Sequence, residues 1–269
     1  MADDATPLLS RRDGAVLTLT LNRPQALNSF DGALHEALIG ALKAAAGDAG
    51  VRCVVITGAG RGFCAGQDLS DPAIAPDLTP GATPKDIGKL IEERYKPLAL
   101  AIHHFPVPVI AAVNGVAAGA GANLALNCDI VLAAKSASFI QAFSKIGLIP
   151  DCGGSWLLPR LVGRANAMAL ALLGEKCSAE EAQRIGLIWR CVADDALATE
   201  TQALAARLAA LPAKALAETR RAFDNADRMG LDGALSLEAD VQRRLGMSHD
   251  YLEGVSAFFA KRAPVFKDR

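Results

Sequence analysis

Residues 97–128 carry no Asp, Glu, Lys or Arg, and this run limits the possible folds more than any other feature. An uncharged stretch of that length either crosses a bilayer or lies deep inside a protein. It holds His103, His104, Pro106, Pro108, Asn114, Asn123 and Asn127, and many of its apolar residues are Ala and Gly. That mixture is too weakly hydropathic for a membrane span. It reads as two buried elements joined by a turn: a strand at 109–113, ended by Asn114-Gly115, and a helix at 118–126 that begins with small residues. Similar strands follow from 53–57 and 130–133, and from 16–21, where Thr18 and Thr20 alternate with leucines. Asp31 can cap a helix with Leu34, Ala37, Leu38, Ala41 and Leu42 on one face. Largely apolar strands alternating with helices predict an α/β core with parallel pairing. After about residue 195 the strands vanish, and 196–211, 213–227, 231–245 and 250–261 read as helices. Residues 70–88, punctuated by four prolines, read as a surface loop. Such a loop is either a cover for a pocket or an inert insertion.

The chain of 269 residues has 28 Lys+Arg against 29 Asp+Glu, a formal net charge of −1. It lacks the broad basic field that nucleic acid or an anionic membrane would need. A chain this long buries enough surface to fold without a metal or disulfide staple. Cys53, Cys64, Cys128, Cys152, Cys177 and Cys191 form no C-x-x-C pair, and read as reduced cysteines of a cytoplasmic protein. The four histidines lack metal-ligand spacing, so no metal site is expected. The first nine residues carry two acids and no apolar core, so no secretory signal is expected.

Three loops could carry chemistry. Strand 53–57 runs into Gly58-Ala59-Gly60-Arg61-Gly62, but the third glycine falls one place early for a dinucleotide fingerprint. A proline loop follows instead of a helix. Gly115, Gly119 and Gly121 either let a helix pack closely or leave backbone N–H groups open at a helix start, where an oxyanion is favoured. Asp151, between Ile149-Pro150 and Cys152-Gly153-Gly154, either caps the next helix, which reads as 155–161, or is an acid/base whose pKa is raised by apolar surroundings.

Together, 21–28 (LNRPQALN), 62–69 (GFCAGQDL), 108–119 (PVIAAVNGVAAG), 147–154 and 253–262 closely resemble the crotonase (enoyl-CoA hydratase/isomerase) superfamily. The resemblance runs from about residue 10 to the end. It implies a crotonase-type spiral of ββα units over 1–195, holding the CoA and acyl sites. It also implies a C-terminal helical trimerisation subdomain over 196–269, and a homotrimer or dimer of trimers. By motif position, the N–H groups of Gln67 and Ala120 form the oxyanion hole for an acyl-CoA thioester. Arg23 matches the cation near the CoA phosphates. Ala26, Ala65, Asp68 and Leu69 match backbone positions around adenine and pantetheine. Phe258 and Lys261 match positions that reach a neighbouring subunit's CoA. No cofactor is implied, CoA being part of the substrate.

The two glutamates of the family's hydratases correspond here to Asn123 and Phe143, which cannot transfer protons as carboxylates do. Asp151 remains, at a slot that the superfamily's isomerases use. A single carboxylate suits moving a proton between two carbons. The stretches 60–69 and 142–154 look most like the isomerases of phenylacetate breakdown. The expectation is an acyl-CoA isomerase with Asp151 as proton shuttle and Phe143, Ile149 and Trp156 as apolar walls. Alternatives are a Δ3,Δ2-enoyl-CoA isomerase or weak hydratase acting on linear chains, and a non-catalytic acyl-CoA-binding subunit.

Overall fold

A computed structural model describes residues 6–269. Part of the N-terminal stretch read for a targeting signal, residues 1–5, lies outside the described residues. The strands expected from the apolar runs are β2 (Val16–Leu21), β3 (Cys53–Gly58), β5 (Val109–Val113) and β7 (Ile130–Ala134). They lie side by side in one sheet and pair in parallel. The hairpin strand β1 (Leu8–Asp13) closes one edge antiparallel to β2, and β10 (Arg190–Val192) closes the other beside β7. β5 is buried at every position, as a strand covered on both faces must be.

A second sheet, which the sequence reading lacked, consists of β4 (Gly62–Cys64), β6 (Val116–Ala118), β8 (Ser138–Ile140) and β9 (Lys176–Ser178) in that order. The pairs β3/β4, β5/β6 and β7/β8 each give one strand to each sheet, and a helix follows each pair. This is the expected spiral of ββα units. The run 97–128 is thus four pieces, not two. It forms most of α3 (Lys96–His103), then β5, β6 and α4 (Ala120–Leu126). All seven residues of α4 are buried, which explains a helix without charge. No described helix is long and apolar enough to cross a membrane.

Helix α1 (Gly32–Gly47) starts where expected, with Asp31 Oδ1 accepting from Leu34 N at 2.9 Å. After the proline segment the chain turns helical at α2 (Ile87–Leu90), then makes one π-helical turn (Ile91–Tyr95) before α3. A π turn carries an extra residue and re-aims the side chains on it. Here it buries Tyr95 completely. Helix α5 (Gly154–Leu173) runs well past the predicted end at 161, with a non-helical break at Gly163.

From α6 (Ala179–Arg184) onward the only strand is β10. Helix α7 (Leu197–Ala209) lies on the six-stranded sheet and buries Leu197, Thr201, Ala205 and Ala209. Helices α8 (Ala213–Ala226), α9 (Leu231–Leu245) and α10 (His249–Ala260) bury little. Arg220 fastens α8 to the core by pairing with Asp129 and donating to the carbonyls of His103, Phe105 and Val107. All six cysteines are free, and five of them are buried.

Candidate active site

The glycine turn after β3 holds itself together rather than opening to a ligand. Asn28 Nδ2 donates to the carbonyls of Ala59 and Gly62 at 2.9 and 2.8 Å. Asn114 Oδ1 accepts from Gly58 N, and its Nδ2 donates to Gly60 O. These bonds occupy the peptide groups where the chain passes from one sheet to the other, in keeping with the rejected dinucleotide reading.

Beyond β4 the backbone reaches Gly66-Gln67, and beyond β6 it reaches Gly119-Ala120. Gln67 forms a parallel bridge to Phe30, in which Phe30 N donates to Gly66 O and Asp68 N to Phe30 O. That geometry turns the N–H of Gln67 to the other side. Ala120 is the first residue of α4, so its N–H has no partner one turn back. Neither N–H has a hydrogen-bond partner among the described residues. Gly66 brings the two segments together. It has φ +92°, and a Cβ there would sit 2.8 Å from Ala118 O and 3.4 Å from Ala120 N. Gly119 adopts φ +52° and ψ −128°, open to glycine alone. The Phe143 ring lies 3.7 Å from where its Cβ would be.

Asp151 lies on the turn into α5. Its Oδ1 is shut off from solvent and has no hydrogen-bond partner. Burial pushes its carboxyl up to about 6, offset only in part by its own backbone N–H. Cys152 and Gly153 follow at φ +47° and +84°, two successive left-handed residues. Cys152 carries strain of about 1–3 kcal/mol. Asn123, three residues along α4 from Ala120, donates through Nδ2 to Asp151 O at 2.9 Å. The free N–H of Ala120 and the turn bearing Asp151 therefore meet the same short helix about one turn apart.

The Gln67 side chain points inward. Its Oε1 accepts from Tyr95 Oη at 2.7 Å. Burial holds the Tyr95 phenol well above its ordinary range, so it stays a donor. His35 packs on Tyr95 and Phe30, ring centroids 4.6 and 4.5 Å apart. Burial first, and the nearby Arg94 second, lower its pKa to about 4. This neutral aromatic floor under Gln67 went unseen in the sequence. Tyr95 stands in a charged stretch, and nothing local signals its burial.

Arg23 is tied inward as well. Its guanidinium lies 3.1 Å from Asp31 and 3.0 Å from Asp68, and donates to Ser29 O. Two carboxylates more than offset its single positive charge. Asp68 itself is held below the usual carboxylate range, first by Ser70 Oγ and then by Ser70 N and Arg23. Ala26 ends the short turn Pro24–Ala26, Ala65 N donates to Leu27 O, and Leu69 is exposed. These five expected CoA-site residues form one neighbourhood on the strip that also bears Gln67. Phe258 and Lys261 stand apart at the end of α10. Phe258 is 78% exposed beside an equally exposed Phe259. No hydrogen bond or ion pair among the described residues joins them to the Arg23 group. Of the expected apolar walls, Phe143 lies by Gly119 and Ile149 is exposed. Trp156 faces the ring of His103 and the guanidinium of Arg160 instead.

Two sheets joined by ββα units, with the Gln67 and Ala120 segments meeting at Gly66 and the Asp151 turn tied to the same helix by Asn123, have the crotonase-type architecture. The enoyl-CoA hydratase/isomerase family model matches residues 11–269, and the chain belongs to that family. It is 54% identical over 259 residues to the 1,2-epoxyphenylacetyl-CoA isomerase of Escherichia coli K12, covering 96% of this chain and 97% of that protein. It is 49% identical to a probable enoyl-CoA hydratase of Rhodobacter capsulatus, covering 93% of this chain and 94% of that one. The crystal structure of an enoyl-CoA hydratase from Bacillus anthracis superposes with a TM-score of 0.87 at 31% identity, over 98% of this chain and 100% of that one. The chain is thus an enzyme of the isomerase type within this family.

Proposed function

We propose that this enzyme isomerises acyl-CoA thioesters by moving one proton, and that its ring substrate is 1,2-epoxyphenylacetyl-CoA, converted to oxepin-CoA. The carrying observation is Asp151: a largely buried carboxyl with a pKa near 6 and a partnerless Oδ1, on a turn that Asn123 ties to the helix begun by Ala120. The 54% identical relative of that name supports the ring substrate.

In this reading the N–H groups of Gln67 and Ala120 donate to the thioester oxygen and stabilise the enolate that forms there. For an unsaturated acyl group, Asp151 takes a proton from the carbon next to the thioester. The C–H electron pair enters the enolate, the double bond shifts, and the proton returns to a more distant carbon. Nothing is added, so the product is an isomer. Arg23, paired to Asp31 and Asp68, shapes the CoA strip with Ala26, Ala65 and Leu69. Phe258 and Lys261 reach the CoA of a neighbouring copy in a homotrimer or dimer of trimers. The exposed Leu231, Leu252, Phe258 and Phe259 support such burial. In this arrangement residues 1–195 carry the site and 196–269 the assembly helices. The reading needs no cofactor beyond the substrate's own CoA, and it places the enzyme in the cytoplasm.

The test is proton NMR of a 3-enoyl-CoA in D2O, with parallel turnover of the ring epoxide. The expected result is double-bond migration with deuterium uptake, and faster conversion of the ring substrate. Faster turnover of the linear substrate would assign a linear-chain isomerase. Binding without exchange or product would support a non-catalytic acyl-CoA-binding subunit.

The pH profile is a second expected result. Asp151 must be ionised to accept a proton, and its pKa is about 6. The acid limb of kcat/KM is expected near pH 6, with activity falling tenfold per pH unit below it. A limb near pH 4, where an ordinary carboxylate titrates, would exclude Asp151 as the base.

A further inference from the structure

We propose that Gln141 and Asn123 form a positioning chain that fixes the Asp151 turn, and that this chain requires an amide at position 123. The inference rests on Asp151 being the proton carrier. Asn123 is fully buried and bridges two partners. Its Oδ1 accepts from Gln141 Nε2 at 2.9 Å, and its Nδ2 donates to Asp151 O at 2.9 Å. A backbone carbonyl only accepts, so the direction of the chain is set from the Asp151 end. Nδ2 must face the turn, Oδ1 must face Gln141, and Gln141 must present its NH2. One helical turn on, Asn127 Nδ2 holds Cys152 O at 2.8 Å. Gly154 N also donates to Asp151 O, at 2.8 Å, and a Cβ on Gly154 would overlap Asn123 Nδ2. The turn is pinned at both carbonyls that precede its left-handed residues.

A carboxylate at 123 could still accept from Gln141. It would have no proton for Asp151 O and would set negative oxygen against a carbonyl. On this backbone, a carboxylate at 123 would therefore loosen the turn that carries Asp151, leaving Gly154 N as the remaining donor to Asp151 O. The amide at 123 thus serves to seat the carboxyl at 151.

The test compares Asn123→Asp, Gln141→Met, the double variant and Asp151→Asn, each on a 3-enoyl-CoA. Gln141→Met preserves volume, and because Gln141 Oε1 has no partner it removes a single hydrogen bond. The expected result for Asn123→Asp is a fall in kcat of about 10–100-fold, because small misplacements of a reacting group cost on that scale. For Gln141→Met a fall of about tenfold is expected. KM should stay within about threefold for both. The double variant should lose less than the product of the two single losses, since both act through one chain. No variant should gain hydration. The inference is overturned if both single variants keep kcat within about twofold while Asp151→Asn is inactive, or if Asn123→Asp produces a 3-hydroxyacyl-CoA. Full activity of Asp151→Asn would instead overturn the proton-carrier reading, and the positioning chain with it.

Discussion

Replacing Asp151 by Asn is expected to lower kcat by about 10²–10⁴-fold, the usual contribution of a positioned general base, while raising thermal stability at neutral pH. The two effects have one cause. Burial holds the carboxyl proton until about pH 6, whereas in the unfolded chain it leaves near 3.9. Between those values the folded state binds more protons than the unfolded state. Stability is therefore lost as pH rises from about 4 through about 6. At pH 7 the ionised carboxylate, whose Oδ1 has no partner, costs up to about 3 kcal/mol. Asn has the same shape and no charge to bury. Calorimetry should find Asp151→Asn melting several degrees above wild type at pH 7, with the gap closing below pH 4. Equal melting temperatures at pH 7 would mean that Asp151 is solvated and unperturbed. Unchanged turnover would mean that the proton moves elsewhere.

The second large effect is expected at Ala120. Proline has no N–H, yet it is tolerated at the first position of a helix, where φ near −65° suits it and the N–H is unused by the helix. Ala120 occupies that position in α4. Ala120→Pro should leave the fold intact and lower kcat by about 10²–10³-fold, the cost of one lost oxyanion donor. Affinity for free CoA, which has no thioester oxygen, should change little. A folded Ala120→Pro enzyme with wild-type kcat would show that this N–H does not face the reacting oxygen.

The strands at 53–57, 109–113 and 130–133 were legible because each is an apolar run buried on both faces. The second sheet was not. Its strands are three residues long, too short to show any period, and they exist only because the first sheet aligns them. The predicted end of α5 at 161 marks a true break at Gly163, but packing resumes the helix beyond it. Asp151 stood out as a carboxylate among apolar and glycine residues. What holds it did not, because Asn123 and Gln141 are distant in sequence and ordinary in local context. The same is true of Tyr95, whose burial depends on one π-helical turn. Arg23 was visible as a cation in a loop, but its two carboxylate partners were visible only in three dimensions.

The buried α4 has a consequence for divergence. One free N–H begins this helix and Asn123 lies one turn along it, all at the centre of the molecule. The stretches on either side are different: Leu78 is 87% exposed in the proline segment and Ile149 is 77% exposed before Asp151. The two regions thus have opposite tolerance to change. Substitutions in the inner helix must preserve its volume, while the two outer stretches can vary in sequence and length at little cost to the fold.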